Sequence, residues 1–261
     1  EFDKDTLYLE EKLGLTIVEG IVTANNLLDL TGREPLDGNR VRIDETEYEI
    51  LNVDKAAAYL GQFVKAYIQN NTEIENKIVC IYPKPRRNQI VSIHTEDMLE
   101  CDLLTKIIAA DESGKERRYS IEPEAAVFFN LDYLGPARAA NLFDQETLNT
   151  LQEAFDSLSA DIRMVDNDND GGYEFVWIRK FENIYVSDFL FDEFKIKNAY
   201  GSTIEMLDAY RENRVVFTNS QGNVVNPKEI EENSVLSICT SRDEDGEILR
   251  AFGILSTDKV E

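Results

Sequence analysis

The stretch Ala160-Asp161-Ile162-Arg163-Met164-Val165-Asp166-Asn167-Asp168-Asn169-Asp170-Gly171-Gly172-Tyr173-Glu174-Phe175-Val176-Trp177-Ile178 sets two runs rich in apolar, β-branched and aromatic residues around a polar tip. Runs of that make-up favour the pleated conformation, and Asp, Asn and Gly tolerate the tight, left-handed backbone of a reversal. The reading is a β-hairpin. Upstream, Asp144-Gln145-Glu146-Thr147 is a helix N-cap signal, with Leu148, Leu151, Phe155 and Leu158 at helical spacing, so a helix is expected over 145–158. It reads as an amphipathic helix laid on a sheet.

Farther towards the N-terminus, short strand signals separated by turns dominate. Thr16 to Ala24, Asn39 to Asp44 and Glu47 to Leu51 come first, with Asp37-Gly38 as a turn. Val53 to Leu60 reads as one or two helical turns closed by Gly61. Strands then follow at Phe63 to Ile68, Lys77 to Tyr82 and Gln89 to Ile93, with Pro83 and Pro85 breaking the last two apart. Between Glu96 and the helix the strand signals are Leu103 to Ala109, Arg117 to Ile121 and Ala125 to Asn130. Beyond the central hairpin lie Arg214 to Thr218 and Asn223 to Val225 around Ser220-Gln221-Gly222, and Ser234 to Thr240 joined by an acidic turn to Ile248 to Leu255. The expected class is mainly β, as two to three small antiparallel barrel or sandwich modules with one or two short helices, divided at 1–96, 97–188 and 189–261.

Composition narrows the function. Of 261 residues, 51 are acidic and 27 basic, leaving a formal charge of −24, and 43% are hydrophobic, enough for real cores. That field repels phosphate backbones and anionic lipid, so no nucleic-acid partner is expected. No apolar run reaches the ~18 residues of a spanning helix, so no membrane insertion is expected, and the first residues lack the basic and apolar regions of a signal peptide. Three cysteines at no metal-like spacing argue against a disulfide framework, and Cys80 and Cys239, in strand-like runs, read as small buried hydrophobes; Cys101 is the third.

The sharpest local chemistry lies in Asp166, Asp168, Asp170 and Glu174. Carboxylates at alternate positions ahead of glycine suit a hard cation such as calcium, and these four are the candidate ligands. An EF-hand would put glutamate at loop position twelve, where Trp177 stands, and the flanks read as strands. The same residues also serve an Asx-rich turn at a hairpin tip, which leaves two readings: a turn with no cofactor, or a calcium site. The sole histidine, His94, precedes Thr95-Glu96 at a strand end and reads as a solvated edge residue, since no Pro-Cys-x-x-Cys accompanies it. Lys84-Pro85-Arg86-Arg87 reads as a solvated turn. Phosphate loops and a Gly-x-Ser-x-Gly elbow are absent from the sequence.

Taken in order, Val18 to Asn25, Leu30 to Leu36, Tyr59-Leu60-Gly61 with Val64 to Tyr67, and above all Val165 to Ile178 with Tyr185-Val186 resemble uncharacterised β-rich modules that accompany S-layer-homology domains in surface proteins of Clostridia-like Gram-positive bacteria. Asn233 to Ile238 also fits. The resemblance implies architecture and a non-enzymatic role. The expectation is a structural or assembly component of an envelope layer or a bacteriophage virion, partnered by copies of itself or by neighbours, in the extracellular envelope or in a particle assembled in the cytoplasm. The alternatives are an acidic cytoplasmic inhibitor or immunity-type protein for a basic partner, and a carboxylate-based hydrolase.

Overall fold

The computed structural model describes residues 14–50, 59–71, 74–111 and 113–256. The protein is mainly β. Its first five strands, β1 (Leu15–Ala24), β2 (Arg40–Ile43), β3 (Thr46–Ile50), β4 (Phe63–Asn71) and β5 (Ile74–Pro83), close into a barrel in the order β1-β2-β3-β5-β4. Alternating β-branched residues line its interior, with Val22, Val41, Ile43, Val64 and Ile78 at most 2% exposed. Of the helical turns expected over 53–60, residues 53–58 lie outside the described residues, and Tyr59 and Leu60 stand in a turn.

The second sheet runs β6-β11-β12-β9-β8-β7, with β10 (Asp132–Pro136) against β9. Its strands are β6 (Gln89–His94), β7 (Met98–Asp102), β8 (Lys106–Ala110), β9 (Glu116–Phe129), β11 (Ala160–Asp166) and β12 (Gly172–Lys180). The central hairpin is present, β11 and β12 pairing antiparallel from Ala160–Lys180 to Val165–Phe175. Helix α1 covers Gln145–Phe155, capped where Asp144 accepts the Thr147 N–H at 2.8 Å, and buries Leu151 and Ala154. It ends three residues short of the expected 158. Ser157 N–H turns back to Ala154 O and the Ser157 and Ser159 hydroxyls bond each other, delivering Ala160 into β11. Leu158 is left 84% exposed.

The third sheet runs β15-β14-β13-β17-β18-β16: β13 (Glu182–Leu190), β14 (Lys195–Asn198), β15 (Thr203–Glu205), β16 (Val215–Asn219), β17 (Val235–Arg242) and β18 (Ile248–Ser256), with helix α2 (Leu207–Arg211) before β16. The hairpin expected around Ser220-Gln221-Gly222 reduces to one bridge, Thr218 to Val224. Strand β16 instead pairs in parallel with β18. Parallel pairs also join β3 to β5 and β9 to β12, so the sheets are mixed rather than purely antiparallel. Each such pair is closed by a long crossover, which leaves no local trace in sequence. Because β6 joins the second sheet and β13 the third, the change of sheet comes before residue 96 and before residue 188.

One buried cluster joins the three sheets, and the second and third sheets each hold a further cluster of their own. Barrel residues such as Val22 and Ile68 belong to the same buried cluster as Phe128, Phe175 and Trp177 of the second sheet and Val216, Cys239 and Phe252 of the third. Trp177 lies 5.1 Å from Phe252 between ring centroids. Gly61, at φ +78°, lets the barrel wall approach the second sheet, because a Cβ there would stand 3.0 Å from the Phe175 ring. Arg179 lies over Trp177 and Phe252 and donates two hydrogen bonds to Asp161, and all of these groups are buried.

Cys239 is buried, as expected, and Cys80 is not. On β5 the register moves from Tyr67–Cys80 to Ile68–Ile78, so Val79 is an extra residue. The bulge turns Val79 and Cys80 both outwards and resets the alternation before buried Ile81.

Candidate metal centre

The tip between β11 and β12 is built by its own carboxylates. Asp166, the last residue of β11, is completely buried; its Oδ1 accepts the N–H of Asn169 (2.6 Å) and of Asp168 (3.3 Å), and its Oδ2 accepts that of Gly171 (3.0 Å). Asp168 Oδ1 accepts from Asp170 N–H and Asp170 Oδ1 from Gly172 N–H. Glu174, two residues into β12, reaches back to accept the Asn167 N–H at 3.0 Å. Asn169 (φ +65°) and Gly171 (φ +95°) supply the left-handed bends that fold the loop over Asp166.

The result is a convergence of charge. One ligand oxygen from each of Asp166, Asp168, Asp170 and Glu174 lies within 4.8 Å of the others. Among the described residues no lysine or arginine forms an ion pair with any of the four, although seventeen such pairs stabilise charges elsewhere. Burial, opposed in part by the Asn167 N–H and reinforced by Asp166 and Asp168, pushes the Glu174 carboxyl up to about 7. A divalent cation would reverse that shift by stabilising the ionised form. Calcium takes six to eight oxygens in a flexible shell, of which the four carboxylates could supply part. Glu174 stands at loop position nine, and Trp177, at the position twelve where an EF-hand has its glutamate, is withdrawn into the shared core.

Glu122 of β9 escapes a local reading of the sequence. It packs over the tip so closely that a Cβ on Gly172 would fall 2.2 Å from its Oε1, and only the parallel pairing of β9 with β12 brings it there. The buried Asp161–Arg179 pair was signalled by charges inside otherwise apolar strands. His94 is exposed at the end of β6. In the Lys84 to Arg87 turn, Arg87 covers the Phe63 ring at 4.5 Å and Lys84 pairs with Glu19. The second acidic tip is a capped turn in which Asp243 Oδ1 accepts the N–H groups of Asp245 and Glu247, and its carboxylates do not converge as the first tip's do.

With this geometry in place, comparison adds nothing to it. No family model, curated protein or solved structure matches the chain.

Proposed function

We propose that the protein is a non-enzymatic building block of a larger assembly, an envelope layer or a virion, whose β11–β12 tip is clamped by calcium. The observation that carries the reading is the convergence of four carboxylates, one of them fully buried, with no compensating basic side chain among the described residues. The carboxylate oxygens accept loop N–H groups as in an Asx turn, which fixes the loop's shape and leaves the remaining lone pairs of each carboxylate for an ion. Calcium neutralises part of the −24 charge and stiffens the hairpin at the centre of the second sheet.

Assembly through neighbours is supported by the sheet edges. Among the described residues β6, β7 and β15 pair on one side only, and such strands are natural rails for docking another chain, whereas the free side of β16 is covered by residues 223–225. The acidic surface keeps the free subunit apart until salt or a divalent ion screens it. Size-exclusion chromatography of the full chain across a salt series, with calcium and with EDTA, tests this reading. Larger species in calcium or at high salt are expected, and a strict monomer in every condition overturns the assembly role.

A further inference from the structure

Away from the acidic tip, the three sheets leave a cleft of about 940 Å³ between them, within the range of small-molecule sites. The barrel side contributes Tyr59 and Gln62, the second sheet Ile90 and Arg163, and the third sheet Tyr210 with the turn after β16. Its chemistry departs from the rest of the surface. In a chain with 51 acidic positions, Glu229 is the sole carboxylate on this wall among the described residues, and it already accepts the Asn226 N–H at 3.2 Å. Five amide side chains line the cleft instead, Gln62, Asn213, Gln221, Asn223 and Asn226, beside the two tyrosines; Asn223 donates to Gln221 Oε1 at 3.4 Å and Asn226 Oδ1 accepts the Lys228 N–H at 3.0 Å, which orders that side of the wall.

We infer that this cleft binds a neutral, hydroxyl-rich ligand of the oligosaccharide class. A primary amide presents a donor and an acceptor together, which matches a sugar hydroxyl that is both, whereas the one carboxylate on the wall, Glu229, already caps Asn226 and its one cation among the described residues, Arg163, already has a partner. The apolar floor of Val215, Phe217 and Val225 suits the C–H face of a sugar ring. Tyr210 is fixed for the purpose: its ring stacks on Phe194 at 3.8 Å and 13°. The side chain therefore enters binding already ordered, which lowers the entropy lost on complex formation. The inference stands independently of the calcium clamp.

Isothermal titration of the full chain in EDTA with maltotriose, cellotriose and triacetylchitotriose, and with trialanine as the peptide arm, tests it. At least one trisaccharide is expected to bind with a Kd below about 1 mM. Tyr210→Phe, which keeps the ring stack, and Asn223→Ala, on an exposed turn, are each expected to weaken that binding about fivefold, the loss of one hydrogen bond. Binding of trialanine alone, no binding by any trisaccharide, or saccharide binding unaffected by both variants overturns the inference.

Discussion

Replacing Glu174 by glutamine keeps the shape of the side chain and removes its charge, and the structure assigns that change opposite signs without and with calcium. In the metal-free protein the Glu174 carboxyl titrates at about 7, against an ordinary value of 4.5. Between those values the folded chain holds a proton that the unfolded chain has released. Stability therefore falls as pH rises from about 4.5 to about 7, and the deficit is complete above that window. The full shift corresponds to about 3 kcal/mol. Because the side chain is only half-buried, solvent screening reduces this to about 1–2 kcal/mol. Glu174→Gln is thus expected to be about 1–2 kcal/mol more stable than the parent at pH 8 in EDTA, and to match it below pH 4.5. Calcium at a hundredfold excess over its Kd adds about 2.7 kcal/mol to the parent and less to the variant, which lacks one ligand, so the gap closes or inverts. Urea unfolding followed by Trp177 fluorescence at both pH values reads all of this. A variant less stable than the parent in EDTA at pH 8 refutes the burial argument, and an equal calcium response in the two proteins refutes the role of Glu174 as a ligand.

Other consequences of the structure are as open to measurement. Arg179→Met leaves Asp161 buried without its hydrogen-bonded partner, and a loss of about 3–5 kcal/mol is expected in urea titration; a loss under about 1 kcal/mol would show the pair to be solvated or its charge met by Arg163. Since one buried cluster joins the three sheets, Trp177 fluorescence and far-ultraviolet circular dichroism should report a single coincident unfolding transition, and separated midpoints would show that the separate clusters of the second and third sheets unfold apart from it. Cys80, turned outwards by the bulge, should react with a thiol reagent in the native protein, while Cys239, whose thiol burial pushes up to about 12, should react only after unfolding. Phe194 packs its fully buried ring against Tyr210 and Phe217 from a left-handed backbone (φ +43°), so Phe194→Ala should cost about 3–5 kcal/mol in the same urea assay.

What could be read from the chain alone follows the range of the interactions involved. The β11–β12 hairpin and the β17–β18 hairpin are local, with apolar strands flanking Asp, Asn and Gly turns, and their strands lie where the residue types put them. The four tip carboxylates were legible for the same reason, because they lie within nine consecutive residues around one short turn. The parallel pairs β9–β12 and β16–β18 depend on crossovers and leave no periodicity to read. Leu158 matches a helical spacing, yet the serines at 157 and 159 turn the chain first. One extra residue on β5 inverted the expected burial of Cys80, and Val79 carries no mark that distinguishes it as a bulge. The amide-lined cleft assembles Gln62, Arg163 and Asn223 from three sheets, a juxtaposition visible only after folding.

The calcium clamp is tested most directly by calorimetric titration of calcium into the full chain at pH 8, repeated with Asp168→Ala plus Asp170→Ala. Binding at one site in the parent, abolished in the double variant, is the predicted result. An absence of heat and of any calcium-dependent stabilisation in the parent would contradict the clamp and leave the tip as a turn alone.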